Sequence, residues 1–169
     1  MATAPLNWTW RPATGPDTEA IVALTQANFE READTIFRTD PIIYAHNVLR
    51  AIVDQFYAPA TSLVWLAVDA DHQLLGYVWA ERGQRAPWSG DEMVAIKIVH
   101  VDMERSARVR LRLCEDILAI VEGWATTIGV PIVCSTTMRN DQEAFLRLHE
   151  RRGYDRRGSI CYRRLTPLT

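Results

Sequence analysis

Apolar positions along this chain repeat with two periods, and the switch between them lays out its elements. Residues 9–13 form a short extended run, closed by Pro12 and by the turn at Gly15 and Pro16. From Pro16 or Asp17 the spacing of Ile21, Val22, Leu24 and Phe29 is helical. Asp40 followed by Pro41 marks a second helix start, with Ile42, Ala45, Leu49, Ile52 and Phe56 as its expected buried stripe and Pro59 as its stop. The period then changes to that of strands. Residues 63–68 and 74–80 are short β-rich runs joined by a polar turn, which predicts a hairpin. A loop with Gly83, Pro87, Ser89 and Gly90 leads into residues 93–101, β-branched and unbroken enough for a central strand. Val109, Leu113, Ile117, Ile120, Trp124 and Ile128 then mark a long helix ended by Gly129. Residues 131–136 read as a buried strand. Asn140 and Glu143 form a capping-box pattern for a last helix, with Ala144, Phe145 and Leu148 inward and Gly153 closing it. Residues 154–165 read as a final extended stretch. The order β, α, α, β, β, β, α, β, α, β, without repeats or linkers, predicts one α/β domain over residues 1–169.

Composition narrows the class further. Hydrophobic residues make up 48% and charged residues 24% of the 169, which excludes collagen, coiled coil and disorder. No apolar run approaches the ~20 residues of a membrane span, and the start lacks the basic flank and apolar core of a signal peptide. The odd, widely spaced Cys114, Cys134 and Cys161 are expected to be buried free thiols in a reducing compartment, and the protein to be cytoplasmic. Charge is unevenly spread: residues 1–104 carry −7 and residues 105–169 carry +5, and 18 of the 19 basic residues are arginine. Either the C-terminal half faces something anionic, or arginine bias decorates a solvated surface.

The segment from Lys97 to Leu113 holds most of the chemistry. A strong strand passes through a short loop into a long helix, leaving unpaired backbone N–H groups at the strand's end, where a helix N-terminus attracts anions. Arg105, Arg108 and Arg110 share that turn, each able to fork onto a phosphate.

Here the sequence resembles the GNAT superfamily of acetyl-coenzyme A-dependent N-acyltransferases, over about residues 8–165. In that family the loop reads Arg/Gln-x-x-Gly-x-Gly/Ala and its amides hold the coenzyme A pyrophosphate. This chain has Arg105-Ser106-Ala107-Arg108-Val109-Arg110, with arginine at both small positions. The family's last helix commonly carries Asn, Ala, Tyr and a terminal Gly-Phe/Tyr; Asn140, Ala144, His149, Gly153 and Tyr154 match here, with histidine in place of the usual tyrosine. The resemblance implies a mixed, mostly antiparallel central sheet flanked by helices on both faces, with acetyl-coenzyme A as co-substrate and no metal. It also implies that the cofactor is held by residues 105–110, by backbone around Val99, His100 and Val101, and by Asn140. Arginines 108 and 110 leave the loop amides usable if they keep helical φ and point sideways; otherwise they fill the site.

Acyl transfer to an amine needs a neutral nucleophile, a polarised thioester carbonyl and a proton for the departing thiolate. His149 stands where the family's tyrosine reaches the sulfur, so the resemblance makes it the proton donor; otherwise it is a packing histidine. For the base, Glu92 and His100 fall on one strand face by alternation and so line one cleft, and Glu81 ends the preceding strand. Trp88 lines an acceptor pocket or lids a core. The expected acceptor is a small-molecule or peptide amine, attacked directly in a ternary complex by a monomer or homodimer with no membrane partner. Two alternatives remain open: a non-catalytic module using its arginines to contact protein or nucleic acid, and an acyltransferase whose acceptor is a nucleic acid. The arginine pairs 151–152, 156–157 and 163–164 motivate both, although no stacking-aromatic repeat or helix-turn-helix accompanies them.

Overall fold

A computed structural model describes residues 7–32, 37–137 and 142–158. Strand β1 (Thr9–Pro12) is followed by a 3-10 turn at Gly15–Asp17 and helices α1 (Thr18–Glu32) and α2 (Pro41–Tyr57). Strands β2 (Ser62–Val68), β3 (Leu74–Arg85) and β4 (Glu92–Val101) then lead through α3 (Ala107–Thr127) to β5 (Ile132–Ser135) and α4 (Glu143–Arg151). The sheet runs β1-β2-β3-β4-β5, antiparallel except for the parallel β4–β5 pair, which α3 connects as a crossover. The two faces bury different cores. One gathers Ile21 of α1 and Val48, Ala51 and Ile52 of α2 with Val64, Leu66, Tyr77 and Trp79 of the sheet. The other gathers Leu113, Ile117, Leu118 and Val121 of α3 and Leu148 of α4 with Leu63, Val78, Ala80, Val94 and Ile96. Helices on both faces of a mostly antiparallel sheet is the architecture expected above. No helix among the described residues is long and apolar enough to cross a membrane.

Three local readings need correction. Helix α2 buries Val48, Ala51, Ile52 and Gln55, whereas Ile42 is 70% exposed and Leu49, Val53 and Phe56 are also exposed. Both sides of this helix are apolar, so periodicity alone could not choose the inward one; only Ile52 and the half-buried Ala45 of the expected stripe turn in. Helix α4 starts at Glu143 with Gln142 as its N-cap and no side-chain cap; Asn140 lies outside the described residues, and Glu143 pairs with Arg147 at 2.7 Å. Residues 154–158 form no strand, and 159–165 lie outside the described residues. Cys114 and Cys134 are half-buried, while Cys161 falls beyond the described part.

The turn into α1 carries a pH-dependent tie. Asp17 accepts two hydrogen bonds from Arg11, at 2.7 and 2.8 Å, and one each from the Thr14 amide and hydroxyl. Arg11 foremost, with Thr14, holds the carboxyl at about 2 instead of 3.8 against the cost of burial. Because the folded value is the lower one, this tie stabilises fully above about pH 4 and is lost as pH falls toward 2. Arg11→Ala is accordingly expected to flatten the fall in urea midpoint over that window; an unchanged acid slope would refute the assignment.

Candidate active site

The parallel ladder between β4 and β5 is short. It runs from Met93 opposite Ile132 to Ile96 opposite Ser135 and stops, while β4 continues to Val101. At the same point the β3–β4 register shifts: Trp79 opposes Ile98 but Ala80 opposes Ile96, so Lys97 is an extra residue in β4. A bulge bends its strand and sharpens the twist, which accounts for β4 leaving β5 there. Beyond it the two strands part, and among the described residues nothing pairs with β4 on that side. The Asp102 amide donates to the Leu75 carbonyl at 2.8 Å, so by antiparallel alternation His100 turns its backbone groups to β3 and Val99 and Val101 turn theirs into the gap. Asn28 Nδ2 occupies the Val101 carbonyl at 3.1 Å. Among the described residues, Val99 therefore turns both backbone groups to the gap with neither taken by a partner there. Gly76, opposite Val101, keeps this strand end close: a Cβ there would sit 3.0 Å from the His100 carbonyl oxygen.

The bulge also overturns the expectation that Glu92 and His100 share a face. Val94 and Ile96 face α3, and after the extra residue Val99 and Val101 do so as well, leaving Ile98 and His100 toward α1 and α2. Glu92 follows the alternation of Val94, on the face opposite His100. It takes a two-pronged hydrogen bond from Arg82, at 3.1 and 2.5 Å, which holds its carboxyl below the usual range and makes it a weaker base. Glu81 lies on the α1–α2 side, accepting from Trp79 Nε1 at 3.1 Å with Lys97 at 3.9 Å.

His100 is buried beside Asn28, whose amide nitrogen lies 3.0 Å from Nδ1. The same nitrogen donates to the Val101 carbonyl, which can only accept, so it is the NH₂ group and Nδ1 of His100 is an acceptor. Tyr77 and Phe29 close around the ring. Nearby, Tyr77 joins Thr25 in a short hydrogen bond and Tyr44 in one of 2.6 Å; burial raises the Tyr77 hydroxyl well above its ordinary pKa. Thr25 and Asn28 are polar residues on the buried side of α1. Their spacing from Ile21, four and seven residues, is the signal that could have revealed them.

His149 lies at the mouth of the gap. Its Nε2 is 2.9 Å from the hydroxyl of Ser135, the residue that ends the β5 ladder, and its Nδ1 is 2.8 Å from the Phe145 carbonyl oxygen. The ring is held between Phe145, at 4.0 Å between centroids, and the edge-on Tyr154, at 4.9 Å. Burial lowers the His149 pKa below its ordinary 6.5, outweighing the Phe145 carbonyl and the Glu122 carboxylate, which favour the charged form. Tyr154, raised by the same burial and by Glu122, keeps its proton, and its sealed hydroxyl has no hydrogen-bond partner among the described residues.

The 105–110 junction is regular and unstrained. Arg105 is committed to two carboxylates, Asp102 at 2.9 Å and Asp69 at 3.5 Å, and so braces the loop. Ser106 is the N-cap of α3 and accepts from the Val109 amide at 3.4 Å, leaving the Ala107 and Arg108 amides without partners among the described residues. Arg108 and Arg110 lie inside the helix, with the backbone condition for usable amides met. Arg108 projects into solvent, while Arg110 folds back toward the Met103 sulfur at 3.5 Å. Trp88 is 87% exposed in its loop and covers no core.

No family model matches the chain, and no curated protein matches it in sequence. Solved structures do match in shape. An aminoglycoside 6'-N-acetyltransferase from Acinetobacter baumannii superimposes with a TM-score of 0.70 over 95% of this chain and 99% of that one, at 14% identity. A predicted acetyltransferase from Clostridium acetobutylicum, solved with acetyl-CoA, gives 0.72 over 94% and 96%, at 10% identity. Glucosamine-6-phosphate N-acetyltransferase from Arabidopsis thaliana gives 0.68 over 95% and 99%, at 8% identity. With a bulged β4 parting from β5 beside a crossover helix, and with these likenesses along nearly its whole length, the chain has the GNAT fold.

Proposed function

We propose that this protein is an N-acetyltransferase that moves an acetyl group from acetyl-coenzyme A to a small-molecule or peptide amine, by direct attack in a ternary complex. The observation that carries this is the parting of β4 from β5 with the N-terminus of α3 at one end and His149 at its mouth. An extended pantetheine fits between two separated strands as a missing strand would, pairing with the Val99 backbone. The Ala107 and Arg108 amides and the α3 dipole favour the pyrophosphate at the helix start. The thioester then falls toward Ser135 and His149, and His149 protonates the departing thiolate. The acceptor reaches the thioester through the gap; Glu81 and His100 lie on its α1–α2 side and Glu92 does not. Its selection falls to α1, α2 and the loop around Trp88.

The rival reading is a basic surface for nucleic acid. Five of the twelve basic residues of the C-terminal half, Arg105, Arg112, Arg147, Arg152 and Arg157, each face an aspartate or glutamate within 4.0 Å, which weakens that surface without removing its positive excess. Acetyl transfer to a panel of primary amines, followed by release of the free thiol, tests the function; binding to random DNA with steep salt dependence and no thiol release would favour the rival.

Arg108 supplies a test with a sign. As an exposed side chain beside the free amides, it contributes a screened charge-assisted contact, at the lower end of the roughly 1–3 kcal/mol such contacts span. Arg108→Gly is expected to weaken coenzyme A binding about threefold to tenfold and to reduce its salt sensitivity. Tighter binding would mean that the arginine obstructs the pyrophosphate.

A further inference from the structure

His149 and Ser135 are bonded in an order that the atoms themselves fix. The Phe145 carbonyl can only accept, so His149 donates from Nδ1. In the neutral ring Nε2 then carries a lone pair, and the hydroxyl 2.9 Å away must be its donor: Ser135 O–H points at Nε2. A neutral histidine locked in this tautomer has no proton to give at Nε2. It is a base with a hydroxyl already in its grasp, and the hydroxyl belongs to the last residue of the β5 ladder, at the mouth of the gap.

The other three candidate bases are not so placed. Glu92 is held by Arg82 on the opposite face, Glu81 accepts from Trp79 Nε1, and Nδ1 of His100 is taken up by Asn28. We infer that Ser135 and His149 act as one proton-carrying pair, taking the proton from the attacking amine and returning it to the departing thiolate. The inference rests on the acetyltransferase reading and deepens it.

The step balances without another reactant. The amine nitrogen bonds to the acetyl carbon as its N–H proton passes to Ser135 Oγ and the Ser135 proton passes to Nε2. The resulting imidazolium is held by the Phe145 carbonyl at Nδ1 and favoured by the Glu122 carboxylate. When the carbon–sulfur bond breaks, the proton returns from Nε2 through Oγ to the sulfur, and the pair is neutral again. Among the described residues, the charged and titratable groups around His149 are Glu122 from α3, Arg152 at the C-cap of α4, Tyr154 after it and Cys134 beside Ser135. Glu122 is paired with Arg152 at 2.5 Å, and Arg152 opposes its effect at the ring. Burial is what keeps the imidazole neutral and receptive.

Ser135→Ala and Ser135→Thr separate this from a merely structural bond. Ser135→Ala is expected to lower kcat by roughly 10²-fold with little change in the KM for acetyl-coenzyme A, and Ser135→Thr, which keeps a hydroxyl and suits a strand, to restore much of it. Wild-type kcat is expected to rise with pH through a single group below 6.5, the unprotonated His149, and Ser135→Ala to flatten that limb. In ¹⁵N spectra of the free protein, His149 is expected as the Nδ1–H tautomer, a readout independent of any substrate. A Ser135→Ala variant with wild-type kcat and pH profile overturns the relay, as does an Nε2–H tautomer. An acetyl group trapped on Ser135 would overturn it in favour of a covalent route. Failure of the wild-type protein to release thiol with any amine contradicts the acetyltransferase reading itself, a result distinct from all of these.

Discussion

His149→Ala is expected to lower kcat by roughly 10²–10⁴ while leaving coenzyme A affinity nearly intact. The split follows from where the side chain sits. The binding elements assigned to the coenzyme, the Val99 backbone and the amides at the start of α3, belong to β4 and α3, whereas His149 belongs to α4 and, among the described residues, reaches Ser135 and Phe145 by hydrogen bonds. Removing the ring takes away the proton acceptor but none of those amides. It also leaves a cavity between Phe145 and Tyr154, so a thermal melt should accompany the kinetics. His149→Tyr restores the residue common in the resembling family. Its phenol has a far higher pKa, so the rising limb and the activity it carries should shift upward in pH. Unchanged turnover in His149→Ala would reduce the residue to packing.

The largest effect on stability is expected from Leu113→Ala. Leu113 is fully buried on the α3 face, in the same core as Val94 and Ile96 of the strand that shapes the gap. Truncating a buried leucine costs its transfer free energy plus that of the cavity left behind, about 2–5 kcal/mol. For a chain of this size that corresponds to a fall in Tm of roughly 5–15 °C. Two residues earlier on the same helix, Leu111 is 41% exposed, and Leu111→Ala should change stability by less than about 1 kcal/mol. Comparable losses for the two variants would contradict the orientation of α3.

How much of this was legible in the sequence depended on whether the signal was periodic. The long helix through Leu113 and Ile117, the hairpin at 69–73 and the strand ending at Val101 were all readable, because one face of each is apolar and the turns carry their own residues. Helix α2 was misread because both of its sides are apolar. The pairing of Glu92 with His100 failed for a subtler reason: one extra residue at Lys97 reverses the alternation, and a bulge leaves no mark in hydropathy. Ser135 was invisible as a chemical group, being one polar residue at the end of a buried strand. Its meaning comes only from the imidazole that α4 brings to it from fourteen positions away. Asn28 and Thr25 carried a weaker signal, their helical spacing from the apolar Ile21, but their partners His100 and Tyr77 come from distant strands.

The central claim is that the gap between β4 and β5 holds coenzyme A. Calorimetric titration of the protein with acetyl-coenzyme A and with free coenzyme A tests it most directly. The account predicts saturable heat for both ligands at roughly micromolar Kd, about −8 kcal/mol at ~1 μM, weakened by Arg108→Gly and unaffected by His149→Ala. No heat and no thermal shift with either ligand at millimolar concentration would contradict it.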